Sequence, residues 1–241
     1  LAYVDYSAQE IGIAAALSNG PALIAAYESG DPYLAFAIDA GLAPPGATKQ
    51  SHPAERDRCK ACALAVNYGM AEHGLALRLG ESLAGARELM QRHHDVYRHF
   101  WKWSRQFVDS ALLTNHAETV FGWPITLGGA VNSRSIQNFP MQGNGAEMLR
   151  LAACLATEAG LTICAPIHDA LLVEADTDQV DASVAELQHH MAAASRAVLG
   201  GFEVRTDVEI VSYPDRYMTS GGVVMWDRVM GLLADAEAVV A

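Results

Sequence analysis

Residues 56–69, RDRCKACALAVNYG, constrain the fold more strongly than any other stretch of this sequence. On a helix that advances about 100° per residue, one face carries Arg56, Lys60, Leu64, Asn67 and Tyr68. A second, apolar face carries Cys59, Cys62 and Val66. A helix that only fills a core buries one stripe and solvates the other, whereas this one presents two cations and then an aromatic ring. Cations suit a phosphate chain and flat apolar groups suit a nucleobase. Taken alone, the stretch also fits an ordinary surface helix.

Three further blocks accompany this helix. They are VDYSAQE at residues 4–10, NFPMQG at residues 138–143 and IHD at residues 167–169. In this order, and together with the helix, they resemble the three polymerase motifs of family A DNA polymerases, the bacterial DNA polymerase I type. The resemblance runs from residue 1 to about residue 210. Four blocks in the expected order are far more specific than any one of them.

The resemblance implies an α+β fold, in which an antiparallel palm sheet with helices carries a mostly helical fingers insertion. The expected divisions are a palm at residues 1–10 and 127–224, fingers at 11–126 and a C-terminal helical tail at 225–241. The sequence pattern itself predicts a hairpin, because the apolar runs 162–167 and 171–174 flank a tip that carries Asp169.

Local signals predict where several helices begin and end. Ser7 and Glu10 have the spacing of a capping box, so a helix is expected to begin at Ser7. Pro21 and Pro32 each open a helix. Pro140 is expected to interrupt a helical segment that resumes at residues 143–159.

Two aspartates are the candidate metal ligands. Phosphoryl transfer depends on positioning and charge neutralisation, and a pair of Mg²⁺ ions held by oxygen ligands can supply both. An isolated Asp at a strand end is usually structural. The resemblance, however, assigns metal binding and catalysis to Asp5 and Asp169, with the Tyr6 carbonyl as a further ligand.

The resemblance also assigns the residues that bind the incoming deoxynucleoside triphosphate. Arg56 and Lys60 would neutralise the triphosphate, and Lys60 would assist catalysis. Leu64 stands where the family usually has an aromatic residue, and Tyr68 would pack near the templating position. Glu10 is either a helix-capping residue or the family's steric gate, which excludes the ribose 2′-hydroxyl.

Primer–template DNA is the expected macromolecular partner. Arg134, Asn138 and Gln142 match the family's RxxxNxPxQG block, which contacts the minor groove and the template; such contacts check shape without reading sequence. His168 is the fourth expected DNA contact. Read alone, Asn138 and Gln142 could instead cap turns around Pro140.

Composition limits the alternatives. The net charge of −12 is unusual for a nucleic-acid binder, but residues 44–110 carry ten Lys or Arg against seven Asp or Glu. Neither a membrane span nor a secretory signal is evident, so we expect a cytoplasmic protein whose four cysteines are small, buried and reduced. Leu1 is not a start methionine, so we expect a segment of a longer chain, and the resemblance implies an upstream thumb, with or without nuclease domains.

Three other functions remain open at this point. A single-subunit RNA polymerase shares much of the plan, although Glu10 and the NFPMQG block favour DNA synthesis. A polymerase-derived binding module without catalysis is suggested by Leu64 and by Ala170, which replaces the acidic residue after the family's His-Asp. A metal-dependent phosphohydrolase would need further histidine ligands, and we expect His93, His94 and His99 to be surface residues.

Overall fold

The computed structural model describes residues 1–128 and 132–240, with side chains to residue 236. Residues 129–131 of the expected palm and residue 241 of the expected tail lie outside the described residues. The strands are β1 (Ala2–Tyr6), β2 (His116–Glu118), β3 (Pro124–Thr126), β4 (Thr162–Ile167), β5 (Ala170–Glu174) and β6 (Thr206–Ile210). The helices are α1 (Gln9–Ser18), α2 (Pro21–Glu28), α3 (Pro32–Asp39), α4 (Pro53–Asn67), α5 (Glu72–Leu79), α6 (Leu83–Val96), α7 (Arg98–Thr114), α8 (Ser133–Glu158), α9 (Val180–Val198) and α10 (Ser220–Val240).

A four-stranded antiparallel sheet in the order β4-β5-β1-β6 confirms the α+β expectation. The central strand β1 alternates: Ala2, Val4 and Tyr6 are buried, while Tyr3 and Asp5 lie on the partly open face. This period of two follows from the pleat of the strand. As a result, one face of this five-residue strand packs in the core, and the opposite face carries the candidate catalytic residue Asp5.

The buried face of the sheet packs against α8 and α9, which also pack on each other. Met148 of α8, Met191 of α9 and Leu171 of β5 are completely buried there. The buried hydroxyl of Tyr6 donates a hydrogen bond of 2.8 Å to the Met191 carbonyl, which satisfies a polar group that burial would otherwise penalise. Among the described residues, no helix has the length and apolar character that crossing a membrane requires.

The helix predicted around residues 56–69 is α4. Its apolar face is buried as expected, with Cys59, Cys62 and Val66 at most 1% exposed. Asn67 departs from the expectation, because it is 2% exposed and belongs to the buried side of the last turn. Cys154 and Cys164 also depart from theirs: both are exposed, and β4, which carries Cys164, is an edge strand with one accessible face.

Two helix boundaries predicted from local signals are wrong. α1 begins at Gln9 after Ala8, whose φ of 48° is left-handed, and neither Ser7 nor Glu10 forms a capping hydrogen bond. α8 runs without interruption through Pro140. Burial of Pro140 and Met141 and a bond of 2.8 Å from the Asn144 side chain to the Pro140 carbonyl support the helix there, so tertiary packing overrides the local cost of proline.

His93 is buried at 3% exposure, contrary to the expected surface position, whereas His99 is exposed. The His93 ring lies among Phe36, Tyr97 and Trp101, and its Nδ1 accepts a bond of 3.1 Å from the Trp101 indole. Burial lowers the pKa of His93 to about 3. An imidazole held neutral in this way is a structural residue of the core.

We predict that the His93→Gln variant will lose less stability in acid than the wild type. The folded state binds a proton at His93 only near pH 3, whereas an unfolded histidine binds one near pH 6.5. Wild-type stability should therefore fall below pH 6.5, by at most about 1.4 kcal/mol per pH unit. Urea unfolding between pH 7 and pH 4 measures this, and parallel pH profiles for the two proteins would contradict it.

We also predict that Gly69→Ala destabilises more than Gly80→Ala. Both glycines follow helix ends and have similar left-handed φ values, 64° and 66°, so each substitution should cost about 1–2 kcal/mol from the backbone conformation alone. Of the two, Gly69 is where the new methyl group would collide, 2.8 Å from Cγ of Arg134, whereas no described atom lies within 4 Å at Gly80. Chemical denaturation of both variants gives the difference, and equal losses would contradict the contact.

Candidate active site

The antiparallel pairing of β1 with β5 brings Asp5 and Asp169 together. Asp5 lies opposite Ala170 in the register, and the Asp169 carbonyl accepts a bond of 3.2 Å from the Tyr6 amide. Two residues that are 164 positions apart in the chain thus become neighbours where β1 pairs with β5. Both aspartates line a cavity of about 670 Å³.

The two carboxylates are held in an unfavourable charged environment. Burial raises the pKa of Asp5 to about 6, and the nearby charges of Asp169 and Asp207 add to the shift. Burial also raises the pKa of Asp169. Oδ1 of Asp5 is buried and has no hydrogen-bond partner among the residues that the structure describes.

These features fit a divalent cation, since an orphaned carboxylate oxygen and mutually repelling hard donors are what such an ion would satisfy. Within the described residues, no cluster of three or more His, Cys, Asp or Glu side chains is arranged around one point. The candidate metal-binding side chains are therefore the aspartate pair, with Ala170 fully buried next to it.

Helices α4 and α8 also contribute residues to the lining of this cavity. Seven further residues predicted from the sequence line the cavity: Tyr6, Glu10, Lys60, Leu64, Tyr68, Gln142 and His168. His168 has a left-handed φ of 56°, which turns the chain between β4 and β5. The arrangement places a cation, an apolar patch and an aromatic ring within one cleft that faces the aspartates.

Glu10 is the centre of a hydrogen-bond network among residues that line the cleft. Its Oε1 accepts a bond of 2.6 Å from the Tyr68 hydroxyl and one of 2.7 Å from the Gln142 amide. The bond to Glu10, together with burial, raises the pKa of Tyr68 to about 12. The network joins α1, α4 and α8, and it keeps the Glu10 carboxylate in the cleft.

Arg56 lies beside this cavity. It lines an adjoining cavity of about 640 Å³, whose lining also includes Asp5, Tyr33, Lys60 and Asp207. The guanidinium of Arg56 and the ammonium of Lys60 each lie 5.6 Å from the centre of the Tyr33 ring. Asp5 and Lys60 line both cavities, so Arg56 and Lys60 both border space that reaches Asp5.

Two predicted site residues do not line either cavity. Arg134 is exposed at the start of α8, with its side chain against Gly69. Asn138 is partly buried one turn later, and its Oδ1 has no hydrogen-bond partner within residues 1–128 and 132–240. Because Gln142 follows after one more turn, these three side chains form a row along α8 that leads away from the cleft.

Sequence reasoning missed three residues around the cations and carboxylates: Asp31, Tyr33 and Asp207. Asp31-Pro32 is a recognisable helix-start signal, but nothing in it indicates a partner on another helix. Asp207 lies opposite Asp5 in the register of β6, which only the pairing of distant strands reveals.

We predict that Asp5→Asn stabilises the fold in metal-free buffer at neutral pH. The folded pKa of about 6 lies above the ordinary value of 3.8, so the stabilising contribution of the protonated form is lost as the pH rises through 6. The urea midpoint of the variant should exceed the wild-type midpoint at about pH 7.5, and the gap should shrink towards about pH 4.5. Asp178→Asn, in an exposed turn, is the control; a pH-independent gap at Asp5 would contradict the assignment.

Comparison with known proteins finds relatives that are DNA polymerases. The chain is 27% identical to DNA polymerase I of Chloroflexus aurantiacus over 85% of its own length and 23% of that protein. It is 26% identical to the thermostable DNA polymerase I of Thermus thermophilus over 87% of its length and 26% of that protein. It therefore spans about a quarter of these relatives.

A solved structure is similar as well. The POL domain of Pol1 from M. smegmatis, in complex with DNA primer–template and dNTP, matches 86% of this chain and 38% of its own, with 27% identity and a TM-score of 0.74. The family model described as DNA polymerase family A matches residues 1–214. The chain belongs to DNA polymerase family A.

Proposed function

We propose that this chain forms the catalytic part of a template-directed DNA polymerase. It would add deoxynucleotides to the 3′ end of a primer and release pyrophosphate. The observation that carries the proposal is the adjacency of Asp5 and Asp169 in a cavity whose other wall presents Lys60 and Tyr68. The chain spans about a quarter of the length of these relatives. That it shares their polymerase activity is therefore proposed here.

Asp5, Asp169 and the carbonyl of Tyr6 would hold two Mg²⁺ ions. The unpartnered Oδ1 of Asp5 and the mutual repulsion of the carboxylates support this role. When bound, the ions would activate the primer 3′-hydroxyl and stabilise the leaving pyrophosphate. The protein's own contribution is to hold its carboxylates at one place before the substrates arrive, so that little reorganisation is needed during the reaction.

The cations of α4 would bind the triphosphate. Arg56 and Lys60 border the space that adjoins the aspartates, where they would offset the negative charge that develops on the leaving group. Leu64 and Tyr68 would contact the base, and aliphatic Leu64 offers weaker stacking than an aromatic ring. Glu10, held by Tyr68 and Gln142, would occupy the space that a ribose 2′-hydroxyl needs.

The row of polar residues on α8 would follow the primer–template. Arg134, Asn138 and Gln142 are spaced one helical turn apart, and His168 lies at the edge of the cleft. The related POL domain is described in complex with DNA primer–template and dNTP. In this scheme residues 1–10 and 127–224 act as the palm, and residues 11–126 act as the fingers that close over a correct pair.

A catalytically weak or inactive relative is the alternative that particular residues favour. Ala170 is completely buried next to Asp5, so no acidic side chain from that position can assist metal binding. Leu64 weakens the contact with the nucleotide. DNA binding in a gel-shift assay, without incorporation of any nucleotide, would favour this alternative, and preferential use of ribonucleotides would favour an RNA polymerase.

We predict that Asp5→Ala and Asp169→Ala each reduce primer extension by at least about a thousandfold, because each removes a carboxylate that nothing nearby replaces. Extension of a labelled primer with Mg²⁺ and the four deoxynucleotides measures the effect. Circular dichroism and thermal unfolding establish that the variants remain folded. Exposed Asp178→Ala is the matched control. Substantial synthesis by either active-site variant would refute the metal assignment, and a wild-type chain without synthesis would refute the proposed activity.

A further inference from the structure

Asp31 is fixed in place by the start of α3. It is the N-cap residue of this helix, and its Oδ1 accepts a bond of 3.2 Å from the Leu34 amide. Pro32 follows at the first helical position, where its ring pre-sets the backbone. The carboxylate therefore has little rotational freedom left, and its second oxygen points in a defined direction.

That second oxygen holds the guanidinium of Arg56. Oδ2 of Asp31 accepts a bond of 2.5 Å from Nε of Arg56, and both side chains are 23% exposed. Of the outer nitrogens, Nη1 reaches only Asp57 at 3.3 Å, and Nη2 has no acceptor among the described residues. Because the bond is made at Nε, much of the outer donor edge remains available to another anion.

The same helix start also contacts Lys60. The Tyr33 ring is 8% exposed, and it lies 5.6 Å from both Lys60 Nζ and the Arg56 guanidinium carbon. Asp31 and Tyr33 together form what we term the cation seat. The seat holds Arg56 and Lys60 beside the space that Asp5 borders.

Resting on the proposed function, we infer that Asp31 is a positioning residue for the incoming triphosphate. It does not contact the nucleotide. It fixes the plane of Arg56 through Nε, so that the outer edge of the guanidinium is presented to phosphate oxygens in advance. Without Asp31 the cation would remain, but its long side chain would have to be ordered by the substrate itself, at a cost in binding.

Asp31→Asn tests this inference, because asparagine is an equally good N-cap but lacks the charge that holds Arg56. In steady-state primer extension, we expect KM for the deoxynucleotide to rise about tenfold while kcat changes less than about threefold. An unchanged KM, or a lower one, would overturn the inference.

Glu81→Gln is the matched control. Glu81 accepts bonds of 2.6 Å and 2.8 Å from Arg58 of the same helix, and neither residue lines the two cavities. This variant removes an equivalent ion pair from α4 without affecting the seat, so its KM should equal that of the wild type. A rise in KM like that of Asp31→Asn would indicate a general effect on α4 and would overturn the inference.

A double-mutant cycle with Arg56→Ala separates positioning from a structural effect. If Asp31 acts through Arg56, the double variant should have the same KM as Arg56→Ala alone, and additive losses would overturn the inference. Arg56→Lys provides a second measurement should Asp31→Asn unfold. It keeps the charge but loses the planar fork, so KM should still rise, and a wild-type KM would overturn the inference.

The failure of this inference is distinct from the failure of the proposed function. A wild-type chain that does not extend a primer removes the proposed polymerase activity. A wild-type chain that extends the primer, together with an Asp31→Asn variant of wild-type KM, removes only the role of Asp31.

Discussion

The pairing of β1 with β5 is the interaction on which the site depends. Antiparallel register places Asp5 beside the tip of the β4-β5 hairpin. The hydrogen bond from the Tyr6 amide to the Asp169 carbonyl links the end of β1 to that tip. Two carboxylates are thereby held close together in partly buried surroundings, although burial raises the pKa of both and the charge of Asp169 raises that of Asp5 further. The buried residues on the reverse face of β1, with α8 and α9 behind them, stabilise an arrangement that the charges alone would disfavour.

The helices around this pair are connected by polar contacts rather than by apolar packing alone. Glu10 accepts bonds from α4 and α8, and the side-chain amide of Gln137 donates to the Val66 carbonyl at 2.9 Å. Asp31 ties α3 to α4 through Arg56. Such bonds have strict geometry, so they fix the direction of the α4 side chains more closely than core packing could. A movement of α4 would have to break or exchange them.

Local sequence signals worked where a single residue decides the outcome and failed where packing decides it. The helix starts at Pro21 and Pro32 are as predicted, because proline at the first position costs nothing and pre-sets φ. The capping box at Ser7 is absent, since Ser7 and Glu10 lie where the chain leaves the sheet and Glu10 binds Tyr68 and Gln142 instead. Pro140 fails to end α8 because its surroundings are buried and Asn144 bonds its carbonyl.

The sequence by itself determined the family, the α+β class and nine of the residues that line the cleft, because those depend on short motifs whose order and spacing are visible in the chain. It also determined that Cys59, Cys62 and Val66 face the core, since helical periodicity is a local property. Only the tertiary structure decided that Asp207 lies opposite Asp5 and that Asp31 holds Arg56. Contacts of this kind join residues from different elements, and their geometry is fixed by strand register and helix packing, which no short stretch of sequence encodes.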